Sequence, residues 1–207
     1  MKLKAIVYGY VPSKLDGTEI KAEFGEFHIP DSFSYQPLMP PVRDQGSEST
    51  CVCQTLTGML DVQRNSKNDV SNKCNNFSIY ELYNQRSNKP QNGMMIKEAL
   101  SLLRHKGLNG EKIDNYALVT NSTIAKQAMV ANGPLAIGMM VYNNGSDEYW
   151  RPKGQRMGGH CTMLVGYDED GFIMRNSWGL VYGTNGYIKL PFEDFEKYCL
   201  ECWTITL

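Results

Sequence analysis

Residues 158–190 read GGHCTMLVGYDEDGFIMRNSWGLVYGTNGYIKL. Three short apolar or alternating runs stand out in this stretch: CTMLVGY (161–167), FIMRNSW (172–178) and GYIKL (186–190). Glycine, aspartate and asparagine separate them, as expected for turns between strands. LAIGMMV (135–141) is a further run of the same kind. His160 stands at the entry to one strand, and Asn176 stands near the end of the next. Adjacent strands of a hairpin hold such a pair together, and the amide oxygen then fixes the tautomer and orientation of the imidazole. Trp178 is placed to shield the pair from water.

Upstream the period is helical. IPDSFSYQPLMPPVRDQGSEST (29–50) is rich in proline and glycine and ends in small hydroxylated residues. After it Val52, Leu56, Met59, Leu60 and Gln63 recur at spacings of three and four, which predicts a helix capped by Ser49 or Thr50. Ser78-Ile79-Tyr80-Glu81 reads as a capping box opening a second helix. A third is expected from Met94 to His105, with Ile96, Leu100 and Leu103 on one face and Gly107 as the stop. A shorter one covers 123–131. The first 30 residues, broken by Gly9, Pro12, Gly17, Gly25 and Pro30, read as extended or loop. Helices first and strands afterwards give an α+β architecture of two lobes, with a cleft between them as the natural place for a site.

Composition sets the outer bounds. The chain has 207 residues, 42% hydrophobic and 21% charged, enough for a substantial core in one domain or two small lobes. A net charge of −1 gives no basic surface for nucleic acid. No apolar stretch approaches the roughly 20 residues that span a bilayer. The apolar patch Ala5–Tyr8 is too short for a secretory signal. Six cysteines (51, 53, 74, 161, 199, 202) are expected to be reduced, which points to a cytoplasmic location.

Cys51 lies at the predicted start of the first helix, where free amides and the helix dipole favour a thiolate. Alone, it would read as a small buried apolar residue. Its company changes that reading. Gln45, six residues earlier, can donate to a tetrahedral oxyanion together with the Cys51 amide, and His160 and Asn176 supply an oriented base.

These residues carry a resemblance. VRDQGSESTC (42–51) resembles the active-site segment of papain-like cysteine peptidases, usually Gln-Gly-x-Cys-Gly-Ser-Cys-Trp. Residues 158–190 resemble the family's histidine and asparagine segments almost end to end. FSIYELYNQ (77–85) resembles its Leu-Ser-x-Gln-x-Leu helix start, NGMMIKEAL (92–100) its Gly-Gly cleft edge, and NGPLAIGM (132–139) its Gly-Pro-Val strand. The match runs over about 29–192 in the family's order. It implies a helical lobe (about 36–106), an antiparallel β-barrel-like lobe (about 107–207), and an active site between them. It also implies a polypeptide substrate, no cofactor and no metal. Cys51 would attack as a thiolate, with His160 as base and acid, Asn176 orienting it and Gln45 in the oxyanion hole. Asn92, Gly93, Met94, Met95, Gly138, Cys161 and Trp178 would line the cleft, and its methionines suggest an apolar residue two positions before the cut.

The sequence departs from the family at several points. Glu48 stands where a disulfide cysteine is usual, Val52 and Tyr182 replace tryptophans, and Asn92 replaces a cleft glycine. About 28 residues precede the match without helical character, so control by removal of a long helical propeptide is not expected. Cys53 points away from Cys51 on a helix and reads as core. Cys199-x-x-Cys202 has zinc or redox spacing, but a strand-like tail is the simpler reading. Two other functions use the same residues or fold: acyl transfer from the same thioester to an amine, and binding by an inactive peptidase fold.

Overall fold

The computed structural model describes residues 8–66, 74–143 and 149–207. Apart from Tyr8, the apolar patch Ala5–Tyr8 lies outside them.

Helix α1 (Cys51–Ser66) is the axis of the molecule, and 14 of its residues are buried. It packs against α2 (Asn76–Tyr83) and α3 (Ile96–His105) as well as the sheet, which leaves it no solvent face. A helix buried all round has to satisfy its polar side chains internally. Thr57 Oγ1 donates to the Cys53 carbonyl at 2.7 Å, and Gln63 Nε2 donates to the Ile205 carbonyl at 3.1 Å. Asp61 accepts from Arg43 at 2.9 Å and from the Cys74 amide at 2.7 Å.

Two helix starts differ from the sequence reading. The capping box of α2 is built by Asn75, not Ser78: Asn75 Oδ1 accepts from the Ser78 amide at 3.1 Å, and Ser78 Oγ accepts from the Asn75 amide at 3.3 Å. Asparagine caps at least as well as serine, and Ser78 fills the reciprocal third position. Helix α3 begins at Ile96, not Met94, because the Met94 backbone is engaged in extended pairing with another segment. Helix α4 (Ser122–Asn132) is capped by Asn121 and ends at Gly133, whose φ of 117° suits glycine.

The strands are β1 (Phe33–Ser34), β2 (Asn115–Leu118), β3 (Leu135–Asn143), β4 (Gln155–Asp168), β5 (Gly171–Arg175), β6 (Tyr187–Leu190) and β7 (Glu201–Thr206). All their pairings are antiparallel, in the order β2-β7-β3-β4-β5-β6, with β1 also on β4. Both faces of the sheet are covered. Ala136, Met163, Val165, Trp203 and Ile205 join a core with α1 and α3, whereas Leu135, Ile137, Leu164 and Cys202 join a second core under α4 and α5 (Phe192–Tyr198). Alternate residues of each strand thus enter different cores, and this is why the strands read as nearly continuous apolar runs. Strand β4 begins six residues before the predicted CTMLVGY run and carries Gly158 and Gly159 inside it. Among the described residues, no helix is long and apolar enough to cross a membrane.

Candidate active site

The β4–β5 hairpin puts Asn176, one residue past β5, beside His160 in β4. Asn176 Oδ1 lies 2.9 Å from His160 Nε2 and also accepts from the Ser177 amide at 2.7 Å. A carboxamide oxygen can only accept, so Nε2 carries the proton and Nδ1 is the bare nitrogen. Nδ1 is buried and has no hydrogen-bond partner among the described residues. The Trp178 ring stacks on the imidazole, with centroids 4.3 Å apart and planes 23° from parallel. Tyr182 meets Trp178 edge-on at 4.6 Å.

The loop before α1 is tied to the same segment. Arg175 donates to the Pro40 and Pro41 carbonyls at 2.9 and 2.6 Å, and Arg43 reaches Thr57 and Asp61 on α1. Asp44 bridges to Trp178, and the Gln45 amide donates to the Ser177 carbonyl at 2.8 Å. Ser177 Oγ donates to Gln45 Oε1 at 2.6 Å, which orients the side-chain amide so that Nε2 faces the other way, toward the Glu48 carbonyl at 2.7 Å. Gln45, His160 and Asn176 are all nearly fully buried.

Cys51, the first residue of α1, is completely buried, and the N-terminal segment covers it. Tyr8 packs edge-on to Trp178 and against Gly158. The Gly9 backbone lies against Ser49 so closely that a Cβ there would overlap the Ser49 backbone. Met94 N donates to the Gly9 carbonyl at 2.8 Å, Val11 N to the Met94 carbonyl at 3.0 Å, and Tyr10 N to the Gly159 carbonyl at 3.1 Å. Beyond the cleft, the Lys97 amide donates to Ser13 Oγ and the Lys97 ammonium pairs with Glu19. Residues 20–22 then pair with Leu118 of β2. Residues 1–28 read from sequence as an N-terminal extension; residues 8–11 form a strap across the cleft. Gly93, Gly138, Gly158 and Gly159 admit it, since a Cβ at each would meet a strap atom.

The strap changes the electrostatics. Burial pushes the Cys51 thiol up to about 11, against the pull of nearby backbone amides of Cys161, Gly9 and Val52. Burial also lowers His160 to about 4, although the Asn176 hydrogen bond works in the other direction. The helix start was expected to favour a thiolate; in the covered cleft the loss of solvation outweighs it, and both groups are neutral at pH 7.

Of the residues expected to line the cleft, Gly93, Met94, Gly138 and Trp178 touch the strap. Cys161 is buried beside Cys51, Met95 is half-buried as the cap of α3, and Asn92 is exposed. Gly159 and Glu201 also meet the strap, and the sequence reading did not include them. The signal for Gly159 was the glycine pair within a strand, a mark of close backbone approach; Glu201 had none. All six cysteines are unpaired, and Cys53 packs on the Met94 sulfur at 3.6 Å. Among the described residues, no three metal-ligating side chains cluster.

An α+β chain with a buried cysteine at a helix start, and a histidine–asparagine pair on a hairpin beside it, defines a papain-like fold. The papain family cysteine protease model matches residues 104–202, a span that includes His160 and Asn176 but not Cys51. Cysteine proteinase 3 of Entamoeba histolytica is 28% identical over 207 residues, covering 82% of this chain and 65% of the relative. Papain from Carica papaya is 24% identical, covering 94% and 64%. The chain thus spans slightly under two thirds of these relatives. The crystal structure of xylellain, a cysteine protease from Xylella fastidiosa, superposes with a TM-score of 0.80 at 20% identity, covering 100% of this chain and 99% of that one. The family model covers just under half of this chain, and together these likenesses show a papain-like fold.

Proposed function

We propose that the chain is a cysteine endopeptidase whose nucleophile is Cys51 and whose cleft is closed at rest by its own residues 8–11. The observation that carries the catalytic reading is the His160–Asn176 pair: it fixes the proton on Nε2 and leaves a bare, buried Nδ1 to take the thiol proton. With the strap withdrawn, solvent returns and the thiolate–imidazolium pair forms at the start of α1. The thiolate attacks the peptide carbonyl. Gln45 and the Cys51 amide receive the developing oxyanion, His160 gives its proton to the leaving amine, and a thioester forms. Water, deprotonated by His160, then releases the acid and restores the thiol.

The strap runs with the wrong polarity to be cut. Because His160 protonates the leaving amine, the C-terminal side of a substrate lies toward His160 and Trp178. The strap sets its N-terminal Tyr8 there and its C-terminal Tyr10 and Val11 on the Met94 side. It fills the cleft without presenting a bond in the productive direction.

Replacing Cys51 with alanine is expected to abolish turnover of an unfolded protein substrate while circular dichroism and the melting temperature stay near wild type. Turnover by Cys51→Ala at the wild-type rate would sink the assignment. Product masses with an added amine separate hydrolysis from acyl transfer.

A further inference from the structure

Between α1 and the β4–β5 hairpin lies a cavity of about 10 Å³, whose walls include Gln54 and Thr55 of α1, Met163 of β4, Arg175 of β5, and Asn176. That is about the room one water molecule needs. Gln54, Arg175 and Asn176 are all buried, and each carries one buried polar atom without a hydrogen-bond partner among the described residues: Gln54 Oε1, Arg175 Nε and Asn176 Nδ2. The rest of each side chain is engaged. Gln54 Nε2 donates to Thr50 Oγ1 at 3.4 Å, which turns Oε1 the other way. Arg175 Nη2 donates to the Pro40 and Pro41 carbonyls, and Asn176 Oδ1 faces His160 and the Ser177 amide. Two donors and one acceptor are left around one small space, and none of the three reaches another directly. Buried polar groups are rarely left so, and a single water matches this set. It accepts from Arg175 Nε and Asn176 Nδ2 and donates to Gln54 Oε1. Its second proton has an acceptor in Thr55 Oγ1, whose own proton goes to the Cys161 carbonyl at 3.2 Å.

We propose that Gln54 is a positioning residue for Asn176, acting through one buried water that it holds together with Arg175. The Asn176 carboxamide can turn over with little change of shape. Turned, it presents Nδ2 to His160 Nε2, which must then accept; the imidazole proton moves to Nδ1, and no bare nitrogen is left for the Cys51 proton. The fixed water opposes that turn. Arg175 can only donate to it, and its own protons are committed to Gln54 and Thr55. It can therefore accept from Nδ2 but has no proton to give to Oδ1. Gln54 thus sets the tautomer of His160 through a series of hydrogen bonds, without touching the imidazole. The catalytic consequence rests on the peptidase reading above; the tautomer itself does not.

The test uses the full chain at pH 7. In the wild type, nitrogen-15 spectra of His160 should show one tautomer with its proton on Nε2, and the Asn176 side-chain amide should show a cross-peak to a long-lived water. Gln54→Met keeps the bulk of the side chain and removes the acceptor. It should erase the cross-peak and bring the two His160 nitrogen shifts closer together, as the second tautomer becomes populated. Gln54→Glu keeps an acceptor toward the cavity and should retain both wild-type signals. With a peptide substrate, Gln54→Met should lower kcat/KM about five- to tenfold, and Gln54→Glu by less than about twofold. In an Asn176→Ala background, Gln54→Met should cost no further activity, because its path is already cut; any effect of Gln54 on strap opening enters both backgrounds alike. A wild type without the water cross-peak, His160 shifts unmoved by Gln54→Met, or an equal loss of kcat/KM in both backgrounds would overturn the role of Gln54. The cross-peak is read on the wild type, so it decides even where Gln54→Met does not fold. No cleavage of any peptide by the wild type would instead retract the peptidase reading, and the spectra would still decide what Gln54 does.

Discussion

Asn176 acts on His160 through one hydrogen bond, and it does so without touching a reacting atom. Asn176→Ala is therefore expected to leave measurable activity, with kcat/KM down by roughly tenfold or more, since the ring keeps its stacking on Trp178 but loses its fixed tautomer. Steady-state kinetics check this; an unchanged kcat/KM would remove the orienting role. His160 itself makes a pH prediction. Its folded value near 4 lies below the unfolded value of about 6.5, so between the two the unfolded chain binds more protons. The stability linked to His160 is complete above about pH 6.5 and is lost as pH falls through 4. Melting temperature should thus fall more steeply over that window in wild type than in His160→Gln. Parallel curves would mean that the imidazole is not desolvated.

Among the elements, the strap is one whose fit depends on missing side chains. Gly9 crosses the Ser49 backbone where no Cβ can be accommodated, and backbone cannot rotate out of the way. Gly9→Ala is expected to lift the strap and raise the rate of Cys51 modification at least tenfold, read by intact mass. A rate equal to wild type would mean the strap does not limit access. The same element shows where sequence reading ran out. Helix α1, strands β3 to β6 and the pairing of His160 with Asn176 were legible, because periodicity and turn residues report local structure. The start of α3 was misplaced by two residues because a tertiary contact decides it: Met94 pairs with a segment more than eighty residues upstream. Glu201 looked like part of an unremarkable tail, and nothing local to CLECWTITL says that its carboxylate faces Tyr10. Helix α5 and β2, short and without strong periodicity, were passed over for the same reason.

At the scale of the whole molecule, the proposed function makes the covered cleft a resting state. Thiol and imidazole are both neutral because the strap, the sheet and α1 exclude water from them together. On the proposed reading, chemical activation and physical opening are a single event, since the step that admits substrate also admits the solvent that lets the ion pair form. From sequence, control by removal of a long helical propeptide is not expected, because the residues before the match are few and not helical. A strap needs no helix: four residues with backbone partners at Met94 and Gly159, and one side chain in a pocket, are enough to close the cleft.

The most direct test is intact-mass labelling by an epoxysuccinyl peptide, comparing the full chain, a variant lacking residues 1–14, and Cys51→Ser in each. The account predicts slow addition of one adduct to the full chain, addition at least tenfold faster to the shortened variant, and none to either Cys51→Ser protein. Labelling scattered over several cysteines, or no adduct on a folded shortened variant, would contradict the claim that Cys51 is an activated nucleophile beneath a removable strap.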